Sequence, residues 1–467
     1  MNIPGDRVRS FCMSDLYPPT VCALVLIGNV TGLEVYLNIL VSLLAAGSLV
    51  FCESLRPFIT PLCTYVYQVS RYHTPFYPAF SDYYYTGWRL PINLFSFAVI
   101  AAAIAFFIIK RKLYLKLSLK DTPLLCPLLF LSLAFLCGGI LYTAPTPQDI
   151  GFALANVSVY LFAFLFLYLG FSKEDATGLA DHLAYSSLFI SLLIVLELLF
   201  LFISADRVIE NGAVVKDAVA LGWGIWNLVA LSLAVLIPVL FYGAERSRHP
   251  KVYFVAATLS YIASLLTLSR NALIFSSLAY FGSLVAFSFV GRHRRAFRIV
   301  TAFCAFSVLV SFVSFFDGIK HLFLDYFERG FSDNGRFAIW RAAFENFRKS
   351  LLFGTGFHGL TVDTAVFGPL PKQAHNTLLQ LLSAMGLFGL FSYLYYRIST
   401  LGPIFRRPSL MKSMLGASVL VLLSMSLFDN FVFNIYPILY YDVTLAILFR
   451  SEKEGKTNST KKSAKTF

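Results

Sequence analysis

Charge is what this chain has least of. Only 13% of its 467 residues are Asp, Glu, Lys or Arg, 58% are hydrophobic, and the mean hydropathy is +0.71. Water-soluble domains run nearer a quarter charged, so a soluble globular fold is excluded for the chain as a whole. Paired cysteine chemistry is missing too. The seven cysteines, at 12, 22, 52, 63, 126, 137 and 304, form no C-x-x-C and no Cys/His metal spacing. Most lie in apolar runs, where a thiol behaves as a small hydrophobe. Residues 1–9 lack the layout of a cleaved signal peptide, so insertion is expected to rely on the first spans. No repeat relates the two halves, which argues against the repeat-built transporters. Only one polar stretch, 317–374, has any size, and it is too short for an ordinary independent domain.

What is present belongs in a bilayer. The 48 Phe and 25 Tyr suit aromatic belts at both interfaces. A hydrocarbon core of about 30 Å needs about 20 apolar residues per helix. On that rule spans fall near 17–32, 34–53, 57–70, 91–109, 122–143, 149–171 and 180–204. Others fall near 218–242, 251–269, 271–290, 299–316, 375–396, 412–428 and 432–449. The expectation is an all-α polytopic membrane protein of about 12–14 transmembrane helices, with one large outer loop containing an amphipathic helix. Residues 1–204 make an N-terminal set of helices, 205–450 a transmembrane core with the outer loop 317–374, and 451–467 a basic tail.

The net charge of +13 comes from short basic clusters between apolar runs, a pattern that sets topology and does not suit nucleic-acid binding. These are Lys110 to Lys120; Arg246, Arg248 and Lys251; Arg292 to Arg298; Arg397, Arg406, Arg407 and Lys412; and the tail after Arg450. The positive-inside bias places all of them, and both termini, in the cytoplasm. Left outside are about 71–90, 205–217, 269–271, 317–374 and 429–431.

Those outer segments carry the chemistry-bearing residues. The first, 71–90, is aromatic and proline-punctuated and reads as an interfacial belt. Arg207 and Lys216 share a short loop before the glycine-rich helix start that ends at Asn227. Glu197 lies in the preceding span, a depth at which a carboxylate needs a partner or a proton; Arg207 and Arg270 are both available. The apolar stretch 251–290 is interrupted once, by Ser269-Arg270-Asn271, leaving Arg270 little loop in which to reach bulk water. After Arg336, the residues Phe337, Trp340, Phe344, Phe347 and Leu351 form the stripe of an amphipathic helix expected on the membrane surface or across the bundle mouth. Gly354, Gly356 and Gly359 break it, in a pattern too short for a nucleotide fingerprint. His321 and His358 read as ordinary loop histidines. Asp429 sits in a turn of three or four residues between the last two spans, either capping the final helix or held at the rim for function. His375 opens an apolar helix at the end of the polar segment, and imidazole titrates near neutrality.

His375-Asn376, nine further residues, then Gly386 and Gly389 reproduce a spacing that resembles the signature of the O-antigen ligase and polymerase superfamily. There a His followed by Asn, Ser or Gln precedes nine residues and Gly-x-x-Gly. Arg270 resembles the family's first arginine motif and Arg207, more loosely, its second, with Lys216 as the rival. The resemblance covers mainly 207–440. It implies a multi-pass protein of the bacterial inner membrane whose donor is a glycan on undecaprenyl pyrophosphate. The acceptor it implies is a sugar hydroxyl, on lipid A-core or on a growing polysaccharide. His375, Arg270 and Asp429 are then the catalytic candidates, and Arg207, Lys216, Arg336 and Asn376 the substrate-binding ones. No cofactor is expected. No Asp-x-Asp occurs in the chain, so metal-independent, inverting transfer is expected. A ligase moves finished polymer, a polymerase joins repeat units, and a third branch glycosylates protein; the Gly-x-x-Gly form leans toward ligase. A transporter or flippase is the alternative of another class.

Overall fold

A computed structural model describes residues 4–68, 87–119, 122–142, 147–204, 208–210, 213–215, 218–314, 336–357, 361–364, 368–371, 373–406 and 408–463. Arg207, Lys216, His321, His358 and most of the aromatic segment 71–90 lie outside the described residues.

The described chain is helical almost throughout. In order come α1 (Pro4–Cys12), α2 (Tyr17–Thr31), α3 (Glu34–Phe51), α4 (Ile59–Gln68), α5 (Arg89–Arg111) and α6 (Leu125–Cys137). Next are α7 (Pro147–Val157), a π-helical turn (Ser158–Ala163), α8 (Phe164–Gly170), α9 (Ala176–Ser204), α10 (Trp226–Arg246), α11 (Pro250–Leu266), α12 (Arg270–Phe289) and α13 (Arg294–Ser314). The last four are α14 (Arg336–Lys349), α15 (Thr377–Phe405), α16 (Leu410–Leu427) and α17 (Ile435–Ser463). A helix therefore occupies every apolar run marked in the sequence. Among the described residues eight helices are long and apolar enough to cross a membrane, with a ninth span if α1 and α2, bent by 85°, count as one. Two further apolar helices, α6 and α11, are shorter than a full span. Three small antiparallel hairpins, 209–214, 220–225 and 361–371, punctuate the loops.

Helix α10 is the axis of the bundle. Every residue from Leu228 to Ala244 is buried, against α9, α11, α12 and α16. By contrast α5 and α13 expose Phe95, Phe106, Phe303 and Phe306, as helices facing hydrocarbon do. The ion pairs gather at one end: Arg56–Glu174, Arg246–Asp181, Arg406–Glu452 and Arg450–Glu454. Bidentate contact from Arg246 Nε and Nη2 fixes Asp181.

One expectation is corrected. Arg397 is not in a basic inner loop, because α15 continues to Phe405 and buries the guanidinium among tyrosines. Glu197 has two neutral donors. Asn29 Nδ2 donates to it at 2.5 Å and Trp223 Nε1 at 2.6 Å, so a span far back in the chain and the loop ahead of α10 satisfy it.

The feature that shapes the site is a break in α15. Gly386 adopts φ 63°, ψ −158°, a conformation open to glycine and almost nothing else. The break frees backbone groups that lipid would leave unpaired. Residues 351–356 fill it: Leu387 N donates to Leu351 O (2.8 Å) and Phe388 N to Leu352 O (3.1 Å). In return, Thr355 N donates to Ser383 O (2.8 Å) and Gly356 N to Ala384 O (3.0 Å). The loop thus continues the helix's ladder with its own peptide groups. Close approach demands glycine: a Cβ on Gly386 would lie 2.5 Å from the Leu352 carbonyl.

Candidate functional site

The first half of α15 begins with Asn376, whose Oδ1 accepts from Leu379 N at 3.1 Å, an N-cap that starts the helix where the sequence turns apolar. His375 stands just ahead of the cap with φ 48°, left-handed and unusual for a side chain of this size. Two contacts hold that backbone. Ala374 N donates to Gln380 Oε1 (2.7 Å), and Ala374 O accepts from Trp340 Nε1 (2.9 Å). The second brings α14 over the start of α15, with Ala343 and Ala374 buried against Ile339, Ala342 and Leu379.

Helix α14 is amphipathic, but the face it buries differs from the expected stripe. Ala343 and Asn346 are buried and Trp340 and Phe347 half-buried, while Phe337, Phe344 and Leu351 are exposed. Small residues make the contact with the bundle and leave the aromatic row outward, where a membrane surface would meet it. Arg336 lies one turn ahead of Trp340 on this covering helix.

His375 Nδ1 lies 3.1 Å from Asp429 Oδ1. The carboxylate also accepts Asn430 N on Oδ1 (2.8 Å) and Asn227 Nδ2 on Oδ2 (3.0 Å). Asn227 Oδ1 in turn accepts from Ser269 Oγ at 2.7 Å, and Ser269 caps α12, whose first residue is Arg270. Four segments remote in sequence, 227, 269–270, 375–376 and 429–430, therefore meet at the end of the bundle opposite the ion pairs. Thr377 Oγ1 ties the arrangement down by donating to Ser426 O (2.6 Å).

Burial raises the Asp429 pKa, but the hydrogen bond and charge of His375, with the Asn430 and Asn227 donors, outweigh it and hold the carboxyl below its usual range. An ionised carboxylate only accepts, so the proton of the shared bond belongs on Nδ1, and in the neutral imidazole that leaves the lone pair on Nε2. The side chain of Asp429 is 10% exposed and that of His375 40%, so the anchor is inside and the free imidazole edge is reachable. The helices α10, α12 and α15 all begin here, and their N-terminal dipoles favour an anion beside Arg270.

The structure thus brings together His375, Asn376, Asp429 and the segment of Arg270, and puts Arg336 on the covering helix. Arg207 and Lys216 lie outside the described residues. Sequence reasoning assigned no role to Asn227 or Ser269. Both lie in segments it marked, but a neutral amide or hydroxyl at a helix start reads as a cap. Among the described residues no cluster of three or more His, Cys, Asp or Glu is placed to hold a metal ion.

Such an arrangement defines a class: a polytopic helical membrane protein with a carboxylate-oriented histidine at one end of its bundle. Residues 254–394, from α11 to the second half of α15, match the family model described as O-antigen ligase. That match supports the resemblance to the O-antigen ligase/polymerase superfamily seen in the sequence. The matched segment holds Arg270, Arg336, His375 and Gly386, while Asn227 and Asp429 come from outside it. Comparison with curated proteins gives no match.

Proposed function

We propose that the protein transfers a glycan from undecaprenyl pyrophosphate to an acceptor sugar hydroxyl at the extracytoplasmic face of the inner membrane, as a ligase. The observation that carries this reading is the His375–Asp429 pair. With Nδ1 engaged, Nε2 is the base that takes the proton of the acceptor hydroxyl as its oxygen attacks the anomeric carbon. Asp429 keeps the tautomer and favours the imidazolium that forms, and Asn227 and Ser269 hold Asp429. The bond to the diphosphate breaks on the opposite face of the sugar, so the anomeric centre inverts. The diphosphate leaves with its charge met by the Arg270 guanidinium and the helix N-termini, with Arg207, Lys216 and Arg336 as further phosphate or sugar contacts. A lipid diphosphate departs without a dedicated acid.

The face assignment is supported by the separation of the site from Arg246, Arg406 and Arg450, which the positive-inside bias places in the cytoplasm. The test is a gel of surface glycans from a deletion strain complemented with wild type or His375→Ala. Polymer retained on its lipid carrier and missing from the core is the expected result. Single repeat units capping the core would make the protein a polymerase. An unchanged ladder in the deletion would favour a transporter.

A further inference from the structure

The turn that carries Asp429 is gripped from inside the bundle as well as from the site. Val432 O, three residues beyond Asp429, accepts a 2.6 Å hydrogen bond from the Tyr160 hydroxyl, and Tyr160 Oη accepts one of 3.1 Å from Arg397 Nη2. All three residues are buried. Tyr160 stands on the π-helical turn Ser158–Ala163, a distortion that proteins keep mostly at functional positions. Its ring stacks on Phe135 and meets Tyr396 edge-on, so the hydroxyl has little freedom.

Arg397 is the costlier member. Its guanidinium lies over the rings of Tyr393, Tyr396, Tyr441 and Tyr160 at 4.7, 4.9, 4.8 and 5.8 Å. Among the described residues Nε and Nη1 have no hydrogen-bond partner, and neither oxygen of the buried Asp442 has one. No ion pair joins Arg397 to Asp442 among the described residues. A charge so placed weakens a bundle that a leucine would stabilise, and charged groups at such depth are usually retained for function. Arg397 lies beyond the Gly386 break on α15, the helix that His375 immediately precedes. The broken helix is therefore tied to the His–Asp pair twice: at its start, which His375 precedes, and through Tyr160 and Val432.

We propose that Tyr160 and Arg397 are positioning residues for transfer, forming a brace that fixes the Asp429–Phe433 turn and, through Asp429, the direction of the His375 imidazole. This rests on His375 acting as the base. Displacement of a reacting group by about 1 Å costs on the order of a hundredfold in rate, which sets the scale of the effect.

The test compares Tyr160→Phe with wild type in full-length protein reconstituted into vesicles. The donor is the undecaprenyl-linked glycan extracted from the host, and the acceptor comes from the deletion strain. A fall in kcat of roughly ten- to a hundredfold with donor KM unchanged is expected. In an Asp429→Asn background the same substitution should add little, because a brace that works through Asp429 has nothing left to position. Removing the guanidinium risks unfolding the bundle, so Arg397→Lys, which keeps the charge, is the companion variant and should also lower kcat with KM held. Wild-type kcat in Tyr160→Phe, or a lowered melting temperature with kcat intact, overturns the brace. A fall in kcat as large in the Asp429→Asn background as in wild type also overturns it. Full activity in His375→Ala would instead remove the reading on which the brace depends.

Discussion

Replacing Gly386 with alanine separates architecture from chemistry in the His375 motif. The backbone at 386 lies in a region that costs an L-residue about 1–3 kcal/mol. Its new Cβ would meet Leu352 C and O at 2.5 Å and Leu351 O at 2.6 Å, all main-chain atoms that no rotamer change can move. To make room, residues 351–356 must withdraw and give up four backbone hydrogen bonds to α15, each contributing about 0.5–1.5 kcal/mol net. The total, roughly 3–9 kcal/mol, rivals the ~5–15 kcal/mol by which folded proteins are ordinarily stable. Gly386→Ala should therefore lower the melting temperature sharply and abolish glycan transfer. Fluorescence-detected size exclusion after a temperature series, run beside the surface-glycan gel, measures both. Gly282→Ala is the control, since a Cβ there would meet nothing within 4 Å. If Gly386→Ala melts with the wild type and transfers normally, the loop does not fill the break as described.

Four further outcomes follow from the site. Asp429→Asn should cut transfer by about 10²–10⁴-fold, the range of a lost acid–base contribution, at little cost in expression. Because the Asp429 pKa is lowered on folding, its stabilising contribution is complete above about pH 4 and is lost as pH falls through the folded-state value. Wild-type melting should accordingly drop more steeply on acidification below pH 4 than that of Asp429→Asn. Arg270→Lys keeps charge but loses the planar fork, so initial-rate assays should find it poorly active; wild-type rates would make the arginine merely topological. Transfer should survive EDTA, and activity lost to the chelator and restored by magnesium would refute metal independence.

The helices were readable in the sequence because a bilayer demands long apolar runs, and nothing else in the chain competes with that signal. The His375 motif was legible for the same kind of reason, as an imidazole and two glycines at fixed spacing. What the spacing meant was not. The sequence suggested a turn after α14 at Gly354 and Gly356, and a helix motif at Gly386 and Gly389. The structure shows these as two sides of one contact, which depends on pairing between separate stretches of backbone. Arg397 was misplaced by a rule that counts basic residues near span ends, since the rule cannot see that α15 runs on past it. The amide of Asn29 and the indole of Trp223 that donate to Glu197 could not be read from the sequence, because they come from other segments of the chain. Asn227 was marked only as part of a helix start, because its role exists only once α10, α12 and the Asp429 turn meet.

The broken helix also sets a height. Residues 387–405 rise about 28 Å along a helix axis, close to the thickness of the hydrocarbon layer, while residues 377–385 add about 14 Å. Everything past the glycine can be oil-soluble, and everything before it stands on a pedestal. On the proposed function, sugars need never enter the greasy layer to be joined, because the chain lifts its imidazole to them.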